Sequence, residues 1–215
     1  MFEKFVKKIS EEIKGELPGF SAQKLMAPLG RRPPLDYLKE GITPKKSAVL
    51  ILLYPQIEPF AVKTVLILRP ENEGGNHAGQ VSFPGGGFDE SDKDLSETAL
   101  REAEEEVGVD RNLVSLIGAL TPLYIPVSNF MVHPFIGVMN SSPEFTLHPL
   151  EVSKVLEVDV NDFISDARKG SIDKFMKVLN AKMQVPCYNI EGETVWGATA
   201  MIISELEELL KRMAT

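Results

Sequence analysis

Arg101-Glu102-Ala103-Glu104-Glu105-Glu106-Val107-Gly108-Val109 is the stretch that decides this fold, and it follows Gly85-Gly86-Gly87 along the chain. In an α-helix, residues three and four apart share a face, so Glu102, Glu105 and Glu106 lie on one stripe. Like charges at this spacing destabilise an isolated helix, which favours a counter-charge such as a divalent cation. The stripe therefore predicts metal ligands; the alternative is an acidic helix that faces solvent.

The residues around this stretch predict where its helix begins and ends. Asp94 can cap the N-terminus with Glu97 three residues later, and Gly108 can take the left-handed conformation that ends a helix. Arg101 lies one turn after Glu97 and one turn before Glu105, so that an ion pair can orient either carboxylate. The apolar residues of a neighbouring face place the acidic stripe at the rim of a core; they are Leu100, Ala103 and Val107.

The composition is that of an acidic globular protein. The chain has 215 residues, of which 43% are hydrophobic and 25% are charged, and its formal net charge is −8. This length fits one domain with a sizeable core, or one domain with a small appendage. The negative charge argues against binding to nucleic acid or to an anionic membrane. Charges between Met1 and Lys8 interrupt what would be the apolar core of a signal peptide, so a cytoplasmic location is expected.

Hydrophobic periodicity predicts a mixed β-sheet between helices. Apolar residues at helical spacing indicate an amphipathic helix before Gly15 and another from Ala198 to Met213, whereas the Pro- and Gly-rich residues 16–46 are expected to be irregular. Strands with helices before, within and after them favour an α/β (α+β) fold whose sheet is covered on both faces. The predicted strands are 47–54, 62–68, 113–120, 130–139, 152–158, 174–180 and 184–188, and Asn189 to Thr194 is the predicted tip of a hairpin.

Two further features have two interpretations each. Arg31 and Arg32 precede two prolines and can place guanidinium groups near a substrate, but such a pair is more often solvated surface. Trp196 either packs the last helix onto the sheet, which is favoured, or stacks on an adenine base.

The glycine run before the acidic helix predicts a close approach of backbone to a ligand. Glycine lets the backbone come near a bound group, and an exposed carbonyl at Gly85 can complete the coordination of a hard cation. Two common glycine loops do not match. No Lys-Ser or Lys-Thr follows as in a P-loop, and Glu90 stands where a dinucleotide fingerprint that starts at Gly85 needs its last glycine.

The run from Gly86 to Val109 resembles the signature of Nudix hydrolases, in which a glycine and an acid precede Arg-Glu-hydrophobe-x-Glu-Glu-x-Gly. Asp92 replaces the usual glutamate, and the spacer to Arg101 is one residue longer than usual. The coenzyme A pyrophosphatase branch of the family has a similarly lengthened loop. Further segments that resemble that branch are Gly79-x-x-x-Phe83-Pro84-Gly85-Gly86, Thr121-Pro122, Pro134-Phe135, Glu151-Val152 and Trp196-Gly197-x-Thr199-Ala200. One difference is that the branch usually has a second arginine between the position of Arg69 and that of Gly79, and this chain has none there.

This resemblance implies an α/β/α sandwich and a hydrolase that needs Mg²⁺ or Mn²⁺. It divides the chain into residues 1–46, an N-terminal helix and irregular extension, and residues 47–215, the Nudix domain. The implied substrate is a nucleotide diphosphate, most closely coenzyme A or acyl-coenzyme A, cleaved to 3′,5′-ADP and (acyl-)4′-phosphopantetheine. The implied site residues are Glu102, Glu105, Glu106 and the Gly85 carbonyl as metal ligands, Glu105 or Glu151 as general base, Arg101 as an orienting residue, and Arg69, Gly86 and Gly87 for the substrate.

Several alternatives stay open from the sequence. Another Nudix pyrophosphatase would act on ADP-ribose, NADH, nucleotide sugars or nucleoside triphosphates. A protein of a different class would keep the acidic helix as a nucleotide-sensing or binding module without catalysis. The complete set of Arg101, Glu102, Glu105 and Glu106 favours the enzyme. A homodimer is an open alternative to a monomer.

Overall fold

The structure, a computed structural model, describes residues 1–71, 77–176 and 181–214. Within these ranges no helix is both long enough and apolar enough to cross a membrane. The helices are α1 (Phe2–Lys14), α2 (Gly19–Gln23), α3 (Pro34–Lys39), α4 (Leu95–Val107) and α5 (Gly197–Ala214). The strands are β1 (Lys45–Gln56), β2 (Ala61–Leu68), β3 (Val81–Ser82), β4 (Gly85–Gly87), β5 (Ser115–Ala119), β6 (Leu123–Ile125), β7 (Phe130–Val138), β8 (Lys154–Asp159), β9 (Lys169–Met176), β10 (Ala181–Ile190) and β11 (Glu193–Trp196).

In the described part of the chain, eight strands form a mixed sheet and three form a smaller one. The large sheet has the order β3-β2-β1-β7-β5, with β4 beside β1, β6 beside β7 and β8 beside β2. β1 and β7 are parallel, whereas the other pairs are antiparallel. The last two predicted strands belong to the small sheet, β11-β10-β9, a division that the sequence did not predict. Residues 177–180 of the predicted strand 174–180 lie outside the described residues.

β1 explains why the sheet is covered on both sides. Its central residues are fully buried, and successive side chains of a strand point to opposite faces. Ile51 and Leu53 lie in the core layer that contains α1 and α5. Leu50 and Leu52 lie in the layer that contains the apolar face of α4. The predicted mixed sheet between helices is therefore confirmed.

The N-terminal helix is confirmed as α1, but the extension after it is more ordered than the sequence predicted. Residues 16–46 were expected to be irregular, and this is wrong for α2 and α3. α2 is held by α5: Ser204 donates a hydrogen bond to the Ala22 carbonyl at 2.9 Å. Glu205, fully buried, accepts hydrogen bonds from the Gly19 backbone N–H at 3.1 Å and from Gln23 Nε2 at 2.9 Å. These bonds join the N-terminal extension to the last helix.

α4 has the ends that its sequence predicts. The Asp94 carboxylate accepts from the backbone N–H groups of Ser96 and Glu97, and Gly108 ends the helix with φ of 72°. The Glu97 carboxylate reaches back to the backbone N–H of Lys93, the residue before the cap, at 2.8 Å. α4 thus begins and ends at fixed positions, and its acidic stripe has a fixed register against β4.

Candidate functional site

The glycine strand and the acidic helix meet at the centre of the site. Gly85, Gly86 and Gly87 pair with Val49, Ala48 and Ser47 of β1, so the glycine run is a short strand of the large sheet. A Cβ on Gly86 would lie 2.4 Å from the Glu102 carboxylate. The absence of that Cβ makes the space that the carboxylate occupies.

Glu106 is the buried carboxylate of the site. Its side chain is 1% exposed, and it accepts hydrogen bonds from the Gly85 backbone N–H and from Arg69 Nη1, both at 2.8 Å. Burial raises the pKa of Glu106 to about 7, although the Gly85 N–H and the Arg69 charge act in the opposite direction. Near neutral pH, a nearby cation would therefore favour the ionised form of Glu106.

Arg101 connects the other acids of the site. Its Nε and Nη2 bind the Asp92 carboxylate at 2.8 and 3.0 Å. Its Nη1 lies 2.9 Å from both the Glu102 and the Glu105 carboxylates, and its Nη2 donates to the Gly87 carbonyl at 3.2 Å. Arg101 therefore links the glycine strand to two of the predicted metal ligands. The predicted orientation of Glu105 by Arg101 is present in the structure.

Asp92 is a residue of the site that sequence reasoning treated only as a departure from a family pattern. Its side chain is buried, and its carboxylate also accepts from the Thr98 hydroxyl at 2.8 Å and the Asp89 N–H at 3.1 Å. The hydrogen bonds from Arg101 hold the pKa of Asp92 well below its usual range. Asp92 is thus a fixed negative charge that orients the Arg101 guanidinium.

The three glutamates of the stripe differ in exposure. The side chains of Glu102, Glu105 and Glu106 are 15%, 55% and 1% exposed. Within the described residues, no three acidic, histidine or cysteine side chains converge closely enough to hold an ion between them. The carboxylates of Glu102, Glu105 and Glu106 nevertheless fit a hard cation, because all their donor atoms are oxygens. The buried Glu106 has a raised pKa, and Glu102 occupies a space that a Cβ at Gly86 would fill.

Glu151 lies near this group, outside α4. Its carboxylate is 3.5 Å from His148 Nδ1 and is partly exposed. Burial raises the pKa of Glu102, and the neighbouring charges of Glu105 and Glu151 contribute in the same direction. The structure therefore places the predicted loop glutamate within electrostatic reach of the helix.

A cleft of about 680 Å³ lies beside the glycine strand. Gly85–Gly87 and Arg69 line it, whereas Glu102, Glu105 and Glu106 do not, so the acids reach the cleft through their contacts with Arg69 and the glycine strand. Its apolar wall includes side chains from four elements: Ile125, Phe130, Phe175 and Trp196. No Asp or Glu is among its described lining residues. Trp196, for which packing was the favoured interpretation, lines the cleft.

Gly86→Ala and Gly85→Ala are expected to fail in different ways. At Gly86 the new Cβ meets only the flexible end of Glu102, so the fold survives and the carboxylate moves. At Gly85 it would lie 2.3 Å from the Ala48 carbonyl oxygen with φ at 155°, so the backbone of β1 must shift. We expect Gly86→Ala to keep its melting temperature while kcat falls about 10²-fold, and Gly85→Ala to lose about 1–3 kcal/mol of stability. Equal losses of melting temperature would contradict the placement of Glu102.

Known proteins are similar to this chain in sequence and in fold. A model of the NUDIX domain matches residues 44–179. A protein named "Uncharacterized Nudix hydrolase NudL" from Yersinia pestis (strain Pestoides F) is 36% identical over 166 residues, which cover 77% of this chain and 80% of that protein. A protein of the same name from Yersinia pseudotuberculosis (serotype O:1b, strain IP 31758) gives the same figures.

Two solved structures share the fold. The NUDIX domain of Shewanella oneidensis NrtR, complexed with ADP ribose, has a TM-score of 0.51 and 17% identity, and the match covers 86% of this chain and 100% of that one. A MutT protein from Methanosarcina mazei Go1 has a TM-score of 0.50 and 16% identity, with 78% and 95% covered. At these identities the likeness concerns the fold alone.

Proposed function

Because the chain belongs to the Nudix hydrolase family, we propose that it hydrolyses the diphosphate of coenzyme A or acyl-coenzyme A. The products are 3′,5′-ADP and (acyl-)4′-phosphopantetheine. The coarser activity, hydrolysis of a nucleoside diphosphate linked to another moiety, follows from the family. The choice of coenzyme A is supported by one observation, the cleft of about 680 Å³ beside Gly85–Gly87. Its mainly apolar wall suits a long uncharged arm such as pantetheine.

Nudix hydrolases use divalent metal ions, and the donors of this chain suit Mg²⁺ or Mn²⁺. Glu102, Glu105, Glu106 and the Gly85 carbonyl would hold the ion, and because the three carboxylates do not converge on one point in this structure, their side chains would have to move to do so. When bound, it supplies neutralisation of the phosphate oxygens and a lowered pKa for water. The buried Glu106 contributes a ligand that the Gly85 N–H and Arg69 already hold in place.

The position and exposure of the remaining side chains suggest a role for each of them. Glu105 is exposed and is held at 2.9 Å by Arg101, so it accepts the proton of the attacking water at a carboxylate oxygen. Glu151 is the alternative base. Arg69 lies between Glu106 and the cleft, where its charge offsets that of the substrate phosphates. Arg101 is a positioning residue, since it acts through the carboxylates that it binds.

A substrate panel tests this proposal. Coenzyme A, acetyl-coenzyme A, ADP-ribose, NADH and nucleoside triphosphates are incubated with the protein and Mg²⁺ or Mn²⁺, and the products are separated by chromatography. We expect phosphopantetheine and 3′,5′-ADP to form fastest. The Glu106→Gln variant, prepared in parallel, is the control for contaminating phosphatases. Exclusive cleavage of ADP-ribose, NADH or a triphosphate would reject coenzyme A as the substrate, and cleavage of none would reject catalysis.

The raised pKa of Glu106 predicts a pH-dependent response of stability to metal. The metal-free folded protein holds a proton on Glu106 up to a pH of about 7. The unfolded chain releases it near a pH of about 4.3. Stability from this group is therefore complete below about pH 4 and is lost as the pH rises through about 7. We expect Mg²⁺ to raise the melting temperature more at about pH 8 than at about pH 5.5, because metal binding needs a deprotonated carboxylate.

The measurement is thermal unfolding with and without Mg²⁺ at both pH values. Glu106→Gln should reduce the difference between them. Glu104→Gln should leave it intact, since Glu104 is a partly exposed α4 residue paired with Arg111 at 3.2 Å. A metal response that does not vary with pH would be evidence against Glu106 as a ligand.

A further inference from the structure

Arg31 differs from the other arginines of the chain in its partners. All seven arginines of the chain are among the described residues, and each of the six other than Arg31 has a nitrogen atom within 4.0 Å of a carboxylate oxygen. Arg31 instead has neutral partners, the backbone carbonyl of Tyr124 at 2.9 Å and the Tyr37 hydroxyl. The chain has a net charge of −8, so carboxylates are plentiful. Since none of these partners is charged, the Arg31 guanidinium is available to pair with an anionic ligand.

Arg31 lies on the wall of the cleft that the glycine strand borders. Lys174 also lines this cleft, 5.0 Å from the centre of the Trp196 ring. The hydroxyls of Ser82 and Ser128, two more lining residues, are buried and have no hydrogen-bond partner among the described residues. The cleft thus combines cations and unused donors with a described lining that contains no acid, which suits an anionic group.

Sheet register shows that Arg31 and the glycine strand are separate anchoring points. Gly87 pairs with Ser47, Ser47 with Val132, and Val132 with Leu123, so β4, β1, β7 and β6 stand side by side. Three strand spacings correspond to roughly 14 Å. Arg31 binds the carbonyl of Tyr124, the residue after Leu123. A diphosphate beside the glycine strand and Arg69 would therefore not reach Arg31, and a second anionic group would be needed there.

We propose that Arg31 binds a phosphate monoester of the substrate that lies outside the cleaved diphosphate, and that it thereby sets specificity. This inference rests on the proposed function, under which the group is the 3′-phosphate of coenzyme A. ADP-ribose and NADH lack such a phosphate. Arg31 then distinguishes coenzyme A from its dephosphorylated form and from the other diphosphates, whereas Arg69 and the glycine strand serve the part that they share.

Binding of product-like nucleotides tests the role of Arg31 without catalysis. Trp196 is the single tryptophan of the chain and lines the cleft, so its fluorescence reports occupancy. We expect 3′,5′-ADP to bind about tenfold more tightly than 5′-AMP, and Arg31→Ala to reduce this ratio to about twofold or less. Arg31→Lys should restore part of it. Arg32→Ala is the matched control with an unchanged ratio, because Arg32 is exposed, pairs with Glu40 at 2.5 Å and does not line the cleft.

A ratio of affinities separates recognition from folding, since a misfolded variant loses both ligands alike. Equal affinities in the wild type, or the same ratio in Arg31→Ala, would overturn the inference. The kinetic counterpart is kcat/KM for coenzyme A and for dephospho-coenzyme A, whose ratio should fall about tenfold in Arg31→Ala through KM. If the protein distinguishes 3′,5′-ADP from 5′-AMP but does not hydrolyse coenzyme A, the proposed substrate is wrong. If it hydrolyses coenzyme A but binds the two nucleotides equally well, the proposed role of Arg31 is wrong.

Discussion

A Glu106→Gln variant is expected to lose roughly 10²–10⁴ in kcat while it keeps its fold. Glutamine has nearly the same shape and can still accept from the Gly85 N–H and Arg69, so the 2.8 Å contacts survive in part. The lost negative charge weakens the binding of a divalent ion at a buried position, where electrostatic interactions are strongest. Steady-state kinetics at saturating Mg²⁺ measures the effect, and circular dichroism confirms the fold.

Two variants of the same helix give this experiment its contrast. Glu105→Gln should also lower kcat by about 10²–10⁴, as expected for a general base. Glu104→Gln should keep kcat within about twofold, because Glu104 points away from the stripe and pairs with Arg111. If both Glu105→Gln and Glu106→Gln kept kcat within about tenfold of the wild type, the stripe would have no catalytic role.

A Glu205→Ala variant is expected to lose about 3–5 kcal/mol of stability. Glu205 is fully buried on α5 and accepts hydrogen bonds from Gly19, Gln23 and Thr121, including one of 2.6 Å from the Thr121 hydroxyl. Alanine removes the acceptor and leaves these donors buried without a partner, each of which costs about 1–3 kcal/mol. Urea unfolding followed by far-UV circular dichroism measures the change.

Glu208→Ala is the control for Glu205→Ala. Glu208 lies one turn later on α5 with a partly exposed carboxylate bonded to Lys211 at 3.1 Å. Its loss should cost no more than about 0.5 kcal/mol. Similar destabilisation of both variants would show that the buried carboxylate has no special part in joining α2 to α5.

The part of the fold that the sequence predicts best is local. Asp94, Gly108 and the spacing of the glutamates define α4 because capping and helical periodicity depend on neighbours along the chain. The buried run in β1 likewise predicts a strand covered on both faces. The second sheet could not be predicted, since strand partners are chosen by packing between distant residues and each run alone has the pattern of a strand.

The polar residues show the limit of pattern reasoning more sharply. Glu205 belongs to an amphipathic helix and its sequence suggests a solvated face, yet its partners lie up to 186 residues away in α2 and bury it. Arg31 and Arg32 are adjacent and chemically identical, but one lines the cleft and the other pairs with Glu40. Periodicity assigns a face to a side chain, whereas its partner is decided by the tertiary structure.

The bonds between α2 and α5 have a consequence for the order of events during synthesis. Ser204 and Ala22 are 182 residues apart, so nearly the whole chain must be made before they meet. Contacts of such separation form late, because the intervening loop must first close. We expect the short helix α2 to lack its partner on the ribosome until the last helix emerges. Incomplete chains that expose apolar surface are prone to aggregate, so we expect chaperones to bind this one during its synthesis.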